Sequence, residues 1–223
     1  MEKKKKIIVA LSSLCAVLVA AIVTMGIVWA ATSQTITSQI KVTYTAQEIS
    51  GSLSAKVYFN SDTGVAMTAD GTAQGATTVT FDGSTATTSG TLTPQGDTVL
   101  LNENGKRFVI YEYVITNAST STAMSAVLTY ADDSSGSNAE DANIKVYAYA
   151  NTTAVSNPHT SAETIRGASG ANLVANHSSL ISDTVSASGT KYFYILVEIN
   201  DLASDAEFSG TFSWALTKAN SGS

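Results

Sequence analysis

Few side chains in this sequence are of types and spacings that could do chemistry. Histidine occurs twice, at His159 and His177, and His159 opens the run HTSAE. A helical zinc-protease motif needs Glu directly after its first His and a second His four residues on. Neither is present, so both histidines read as surface polar residues in Ser- and Asn-rich loops. Asp132, Asp133, Glu140 and Asp141 crowd the stretch ADDSSGSNAEDAN, residues 131–143. Calcium takes about 6 to 8 oxygen ligands, and such a loop offers them; no calcium-loop spacing is matched, however, and a solvated, solubilising loop explains the same residues. Asp201, Asp205 and Glu207 crowd the last turn, where mutual repulsion keeps a hairpin tip in water. Serine is abundant, yet there is no G-x-S-x-G elbow and no base paired with any one serine. No glycine-rich phosphate loop or basic aromatic surface occurs. The tyrosines of IYEYV and VYAYA would make a sugar-stacking platform if they faced outward, and would otherwise cover a core. The expectation is a protein that is not an enzyme and holds no cofactor.

The elements around these residues are strands. IKVTYTA puts Ile40, Val42, Tyr44 and Ala46 on one face, and SLSAKVYF does the same with Leu53, Ala55, Val57 and Phe59. Alternation of this kind is the mark of a half-buried strand. ATTVTF (76–81) and TSGTLT (88–93) are thinner strands between turns. Asn104-Gly105 tolerates left-handed backbone and divides Val99–Leu101 from a long strand, Arg107–Thr116. That strand is apolar on both faces: Val109, Tyr111, Tyr113 and Ile115 on one, Phe108, Ile110 and Val114 on the other, with Glu112 among them. It therefore reads as a central strand with a partner sheet on one side and covering loops on the other. MSAVLTY and NIKVYAYAN follow, then a short helix around Ala162–Arg166 and a strand around Leu173–Val185. The C-terminal KYFYILVEINDLASDAEFSGTFSWALTKA reads as two strands around an acidic turn. About nine to eleven short strands without a long helical pattern imply two sheets packed face to face, because each apolar face needs a cover. The fold expected is all-β, a two-sheet antiparallel, jelly-roll-like β-sandwich over residues 48–218, with 31–47 as N-terminal segment and first strand and 219–223 as a tail.

The N-terminus is different. MEKKKK precedes an uncharged run from Ile7 to Ala31. Such a run is long enough to span a bilayer, which takes about 20 apolar residues, and exceeds the roughly 7 to 15 residues of a signal-peptide core. Val28 and Ala30 stand where a signal peptidase reads small residues, for a cut between Ala30 and Ala31. Two readings follow: a signal peptide over 1–30, or a retained transmembrane anchor. In both, the rest of the chain is outside the cytoplasmic membrane. Cys15, the one cysteine, lies within the run, so no disulfide staples the domain. Removing residues 1–30 takes four lysines and Glu2 from twelve basic and eighteen acidic side chains, so the formal charge moves from −6 to −9. That balance argues against a nucleic-acid partner.

The stretches KVTYTAQEISGSLSAKVYF, YEYVITNASTSTAMSAVLTY and KYFYILVEINDLASDAEFSGTFSWALTKA, behind a lysine-headed leader, resemble the TasA and camelysin-like group of secreted Gram-positive proteins. The resemblance implies a jelly-roll domain, a dedicated signal peptidase, and a secreted or cell-surface subunit of biofilm matrix fibres that associates with itself or with other matrix proteins. It also implies that the segment from Ala31 to about Gln47, with Ile40, Val42 and Tyr44, completes the sheet of the next subunit. The residues make the same case independently, since a polar ATSQTITSQ joined to an alternating strand suits addition to an open sheet edge. The plainer reading is a first strand paired within its own domain. Camelysin-like relatives are classed as metallopeptidases, which would draw on His159, Glu163 and His177 for zinc. A monomeric surface module for sugar or protein is the remaining alternative.

Overall fold

Most of the described residues form strands. The computed structural model describes residues 33–35, 39–59, 61–70, 77–82, 88–93, 99–101, 107–132, 144–168, 180–199 and 209–219. The strands are β1 (Ser33–Thr35), β2 (Gln39–Gln47), β3 (Gly51–Tyr58), β4 (Val65–Ala66), β5 (Thr68–Asp70), β6 (Thr78–Phe81) and β7 (Thr88–Thr93). They continue with β8 (Val99–Leu101), β9 (Arg107–Asn117), β10 (Met124–Asp132), β11 (Ile144–Asn151), β12 (Ile181–Val185), β13 (Thr190–Ile199) and β14 (Ser209–Lys218). The helix α1 spans Ala162–Ala168. Among the described residues, ten strands have four residues or more, the number expected; β1, β4, β5 and β8 add segments of two or three.

The chain is an all-β, two-sheet sandwich. One sheet has the order β12-β10-β14-β2-β7-β5, and the second runs β11-β13-β9-β3-β4 with β6 also paired to β3. From β5 onward, β8 apart, each strand lies in the sheet opposite to its predecessor, the crossing habit of a jelly roll. The C-terminal pair follows this rule and not the expected hairpin. β13 already has β9 and β11 on its two edges, so it has no place for β14, which enters the other sheet between β10 and β2. The acidic residues 201–207 of the connection lie outside the described residues.

Among the described strands of the two sheets, one ladder is parallel. β14 runs alongside β2 from Ser209↔Gln39 to Thr217↔Gln47, while β7 flanks β2 antiparallel on its other edge. A parallel pair needs a long connection, and the first and last strands of the domain have nearly all of it between them. β2 leads into β3 through a corner at which Glu48 takes a left-handed φ of 55° and Ile49 is buried. At the start of β3 a Cβ on Gly51 would come 2.1 Å from the Thr116 carbonyl oxygen, so only glycine lets β3 approach β9 there.

The core between the sheets is aromatic at its centre. Trp214 of β14 meets Tyr113 of β9 and Phe193 of β13 edge-on, with ring centroids 5.5 and 4.9 Å away. Phe212 meets Tyr111 at 5.9 Å and Tyr130 at 5.2 Å. Val42 and Ala46 of β2 are buried in the same core. Tyr111 and Tyr113 of IYEYV thus face inward and offer no sugar platform; the alternation of β9 against the partner sheet decides it.

One end of the sandwich is tied by a side chain. Asn117, buried at the end of β9, donates through Nδ2 to the carbonyls of Thr122 (2.8 Å), Ser186 (3.2 Å) and Val185 (3.3 Å), and its Oδ1 accepts from the Ser119 amide at 3.0 Å. It joins the β9–β10 loop to the β12–β13 turn. Asn117→Ala removes these bonds and leaves carbonyls without their donor, so a loss of about 2–3 kcal/mol in unfolding free energy is expected, measurable by urea denaturation.

Candidate functional site

Ionisable side chains gather on the outer face of the second sheet. β9 and β13 are apolar on both sides, and their outward residues Phe108, Ile110, Tyr194 and Leu196 need a cover of their own. The segment 152–168 supplies it, with Ala162 and Ile165 of α1 turned down onto them and Val155, Tyr147, Tyr149 and Tyr192 around the margin. Ala162 and Ile165 are three apart and so share one face of the helix. Glu163 in its first turn and Arg166 in its last match the helix dipole.

Charged groups lie between the sheet and its cover. Arg166 donates from Nε to Glu198 Oε2 at 2.7 Å and from a terminal nitrogen at 2.6 Å, while another reaches Glu163. Glu198 is 1% exposed, so this is a buried ion pair. Burial works against the charge on Arg166, but its bonds to Glu163 and the field of Glu198 overcome that and raise its pKa. Its guanidinium also sits 5.9 Å from the centroid of Phe108. His159 stacks on the same ring, centroids 4.8 Å apart and planes at 29°.

Two further bonds hold the cover at its start. The Val155 amide donates to the Tyr194 hydroxyl at 2.9 Å. Asp62, in the loop after β3, accepts from the Thr160 amide at 3.0 Å and from the Thr160 hydroxyl. Partial burial pulls the Asp62 pKa up, but the Thr160 hydroxyl, the amides of Thr160 and His159 and the His159 ring outweigh it, and the carboxyl titrates below its ordinary value.

A third group is Glu112, 5% exposed, in the row where β9 faces Tyr194 of β13 and Lys56 of β3. The hydroxyls of Tyr58 and Tyr194 both donate to its carboxylate. Burial, first, and the neighbouring carboxylate, second, raise the Tyr58 pKa; burial and Glu112 do the same for Tyr194 against the Val155 amide.

Of the residues singled out in the sequence, His159 requires correction. It is 7% exposed and stacked, not a surface residue, because the cover it belongs to is pressed onto β9. Glu163 is on the helix beside it, and His177 lies outside the described residues. Among the described residues no group of three or more His, Cys, Asp or Glu is placed to hold a metal ion. Asp132 ends β10; Asp133, Glu140 and Asp141 lie outside the described residues, as do Ala30, Ala31 and the apolar leader. Among the described residues no helix is long and apolar enough to cross a membrane. Val42 is in the core and Ile40 and Tyr44 belong to the same strand, β2. Sequence reasoning passed over Asp62, Glu112, Arg166 and Glu198 as site residues. The available signal was a lone carboxylate inside a strand apolar on both faces, as in RFVIYEYVIT and YFYILVEI.

No protein-family model matches the chain, and no curated protein matches it. Among solved structures the chain is similar to a beta-glucosidase from Kluyveromyces marxianus, 10% identical over 75% of this chain and 15% of that one, with a TM-score of 0.24. It is also similar to an uncharacterized beta-sandwich protein from Clostridium difficile 630 (10% identity, 55% and 70% covered, TM-score 0.17). A third is the chaperone–tip adhesin complex of CFA/I fimbriae (7% identity, 76% and 70% covered, TM-score 0.27). The chain spans about 15% of the glucosidase's length.

As a whole the face is built to anchor. Arg166→Ala removes the two guanidinium bonds to the buried Glu198 carboxylate, and is expected to cost about 3 kcal/mol in unfolding free energy by chemical denaturation. Glu163→Gln, at an exposed position, should cost well under 1 kcal/mol. The Asp62 clasp has a defined pH window. Its folded pKa lies below the unfolded value near 3.8, so its contribution is present above that value and is lost as pH falls through the folded pKa. Asp62→Asn should flatten the acid limb of the stability–pH curve and leave the neutral region's slope unchanged.

Proposed function

We propose that this chain is an exported structural protein whose domain assembles with copies of itself, or with other extracellular proteins, by exchange of its N-terminal strand. The observation that carries the reading is the seat of β2. It is the first strand of either sheet, yet it lies inside a ladder, between β14 and β7, and places Val42 and Ala46 in the core. Lifting it out would split the sheet and expose two strand edges together with an apolar slot. The same strand from another copy has the complementary edges and side chains, so exchange costs only the opening of the corner around Glu48. A terminal strand can be replaced in this way without threading the chain through itself.

The resemblance to TasA-like fibre subunits supports the same reading, as do an acidic, cysteine-free domain and a leader with small residues before Ala31. On this reading the strand is paired internally in the monomer and between chains in the assembly. The plain first-strand reading and the donor-strand reading are then two states of one ladder.

Neighbouring side chains provide the test. Thr43 Oγ1 and Ser213 Oγ are 2.7 Å apart across the β2–β14 ladder. When proteins carrying Thr43→Cys alone and Ser213→Cys alone are mixed under assembly conditions and oxidised, a covalent heterodimer joined through positions 43 and 213 is expected by mass spectrometry. Assemblies that form without that crosslink would overturn strand exchange.

A further inference from the structure

We propose that Glu48 is a strained hinge that biases the chain toward strand exchange: its left-handed backbone is under strain in the closed monomer, and exchange releases it. The inference rests on the strand-exchange reading and adds what sets its direction. When β2 of one copy replaces β2 of another, the ladders to β14 and β7 and the seats of Val42 and Ala46 are made again by the same residues. Those contacts cancel between the closed and the exchanged state. Apart from new surface contacts between copies, what differs is the link between β2 and β3, formed by Glu48, Ile49 and Ser50.

Within that link the pivot is at its first residue. Ile49 is buried, and the Ser50 carbonyl accepts from the Ala118 amide at 2.9 Å. Gly51 is pressed against the Thr116 carbonyl of β9. The β3 side of the corner is therefore fixed to the domain. Glu48 is exposed, has a φ of 55° and stands between that fixed side and the end of β2. A change of its backbone from left-handed to extended turns β2 away from its own ladder while Ile49 keeps its seat.

The residue type makes this corner a strained one. In the left-handed region the Cβ of an L residue crowds the following carbonyl oxygen, and Gly, Asn and Asp are the types that tolerate it. Asn157, at φ 51°, is one of them. Ser188, at φ 54°, belongs to a tight turn in which its amide donates to the Ser119 carbonyl at 2.8 Å and the Gly189 amide to the Ser186 carbonyl at 3.0 Å. Glu48 is neither a tolerant type nor part of a hairpin turn; it joins strands of opposite sheets. An extended Glu48, linking two copies, is free of the clash. Short strained links favour exchange for this reason.

The test is the critical concentration for assembly of the purified protein, read at equilibrium by sedimentation, with the Thr43→Cys and Ser213→Cys crosslink as the mark of exchange. Glu48→Gly removes the clash in the monomer and should raise the critical concentration about five- to thirty-fold, the factor that corresponds to one left-handed residue. Glu48→Val, a β-branched residue ill suited to positive φ, should lower it. Glu48→Gln keeps the backbone preference without the charge and should leave it unchanged. Crosslinked assembly at equal critical concentrations in the parent, Gly and Val proteins, or a shift in Glu48→Gln as large as in Glu48→Gly, would overturn the hinge and leave exchange standing. Assembly of the parent without the crosslink, or no assembly of any of these proteins, contradicts exchange itself and the hinge with it.

Discussion

Two strands apolar on both faces constrain the rest of this structure. β9 and β13 lie side by side in the second sheet, and neither can be left with one face in water. Their inner faces bring Tyr111, Tyr113 and Phe193 against Phe212 and Trp214, which fixes the two sheets in register. Their outer faces require a second, smaller core, and the chain makes it from one short helix and the segment before it. A seven-residue helix is marginal in isolation. Its formation here rests on what it covers.

Having to be covered twice also accounts for where the charges are. Once 152–168 is pressed onto the sheet, every polar group beneath it needs a partner. Glu198 takes Arg166, Tyr194 takes the Val155 amide, and the loop after β3 contributes Asp62 to Thr160. Glu112 takes the hydroxyls of Tyr58 and Tyr194. The outer face of the first sheet is built differently. There Thr43, Ser213 and Thr129 stand in one row across three strands and need no cover, as hydroxyls on a half-wet sheet do. The two outer faces of one sandwich therefore differ: one is covered and holds buried ionisable groups, the other carries this row of hydroxyls. Strand exchange through β2 would proceed in the first sheet and leave the covered face intact.

Much of the fold was legible because alternation is a direct record of which side of a strand is buried. RFVIYEYVIT announced a strand covered on both sides, and TSGTLT, thin as it is, became β7 with unchanged bounds. What alternation does not encode is the pairing of strands. KYFYILVEI and SGTFSWALTK look like a hairpin because they are neighbours in sequence, yet the edges of β13 are filled by β9 and β11, and β14 pairs with β10 and β2. The parallel ladder between first and last strands is likewise a product of the whole topology. The candidate site was less legible. HTSAE gives no sign that His159 will lie on Phe108, because that contact depends on a segment folding back over a sheet. Glu112 and Glu198 were visible as carboxylates in apolar strands, but their partners come from other strands and from the helix.

Amide hydrogen exchange across residues 144–168 and 190–199 in the native protein tests the double covering of β9 and β13 most directly. If the outer layer is a true second core, the amides of Ala162–Ala168 are protected well beyond those of an isolated helix of that length and lose protection together with β13 as denaturant is added. Exchange of the helix at the rate of an unstructured peptide, while β13 stays fully protected, would contradict it.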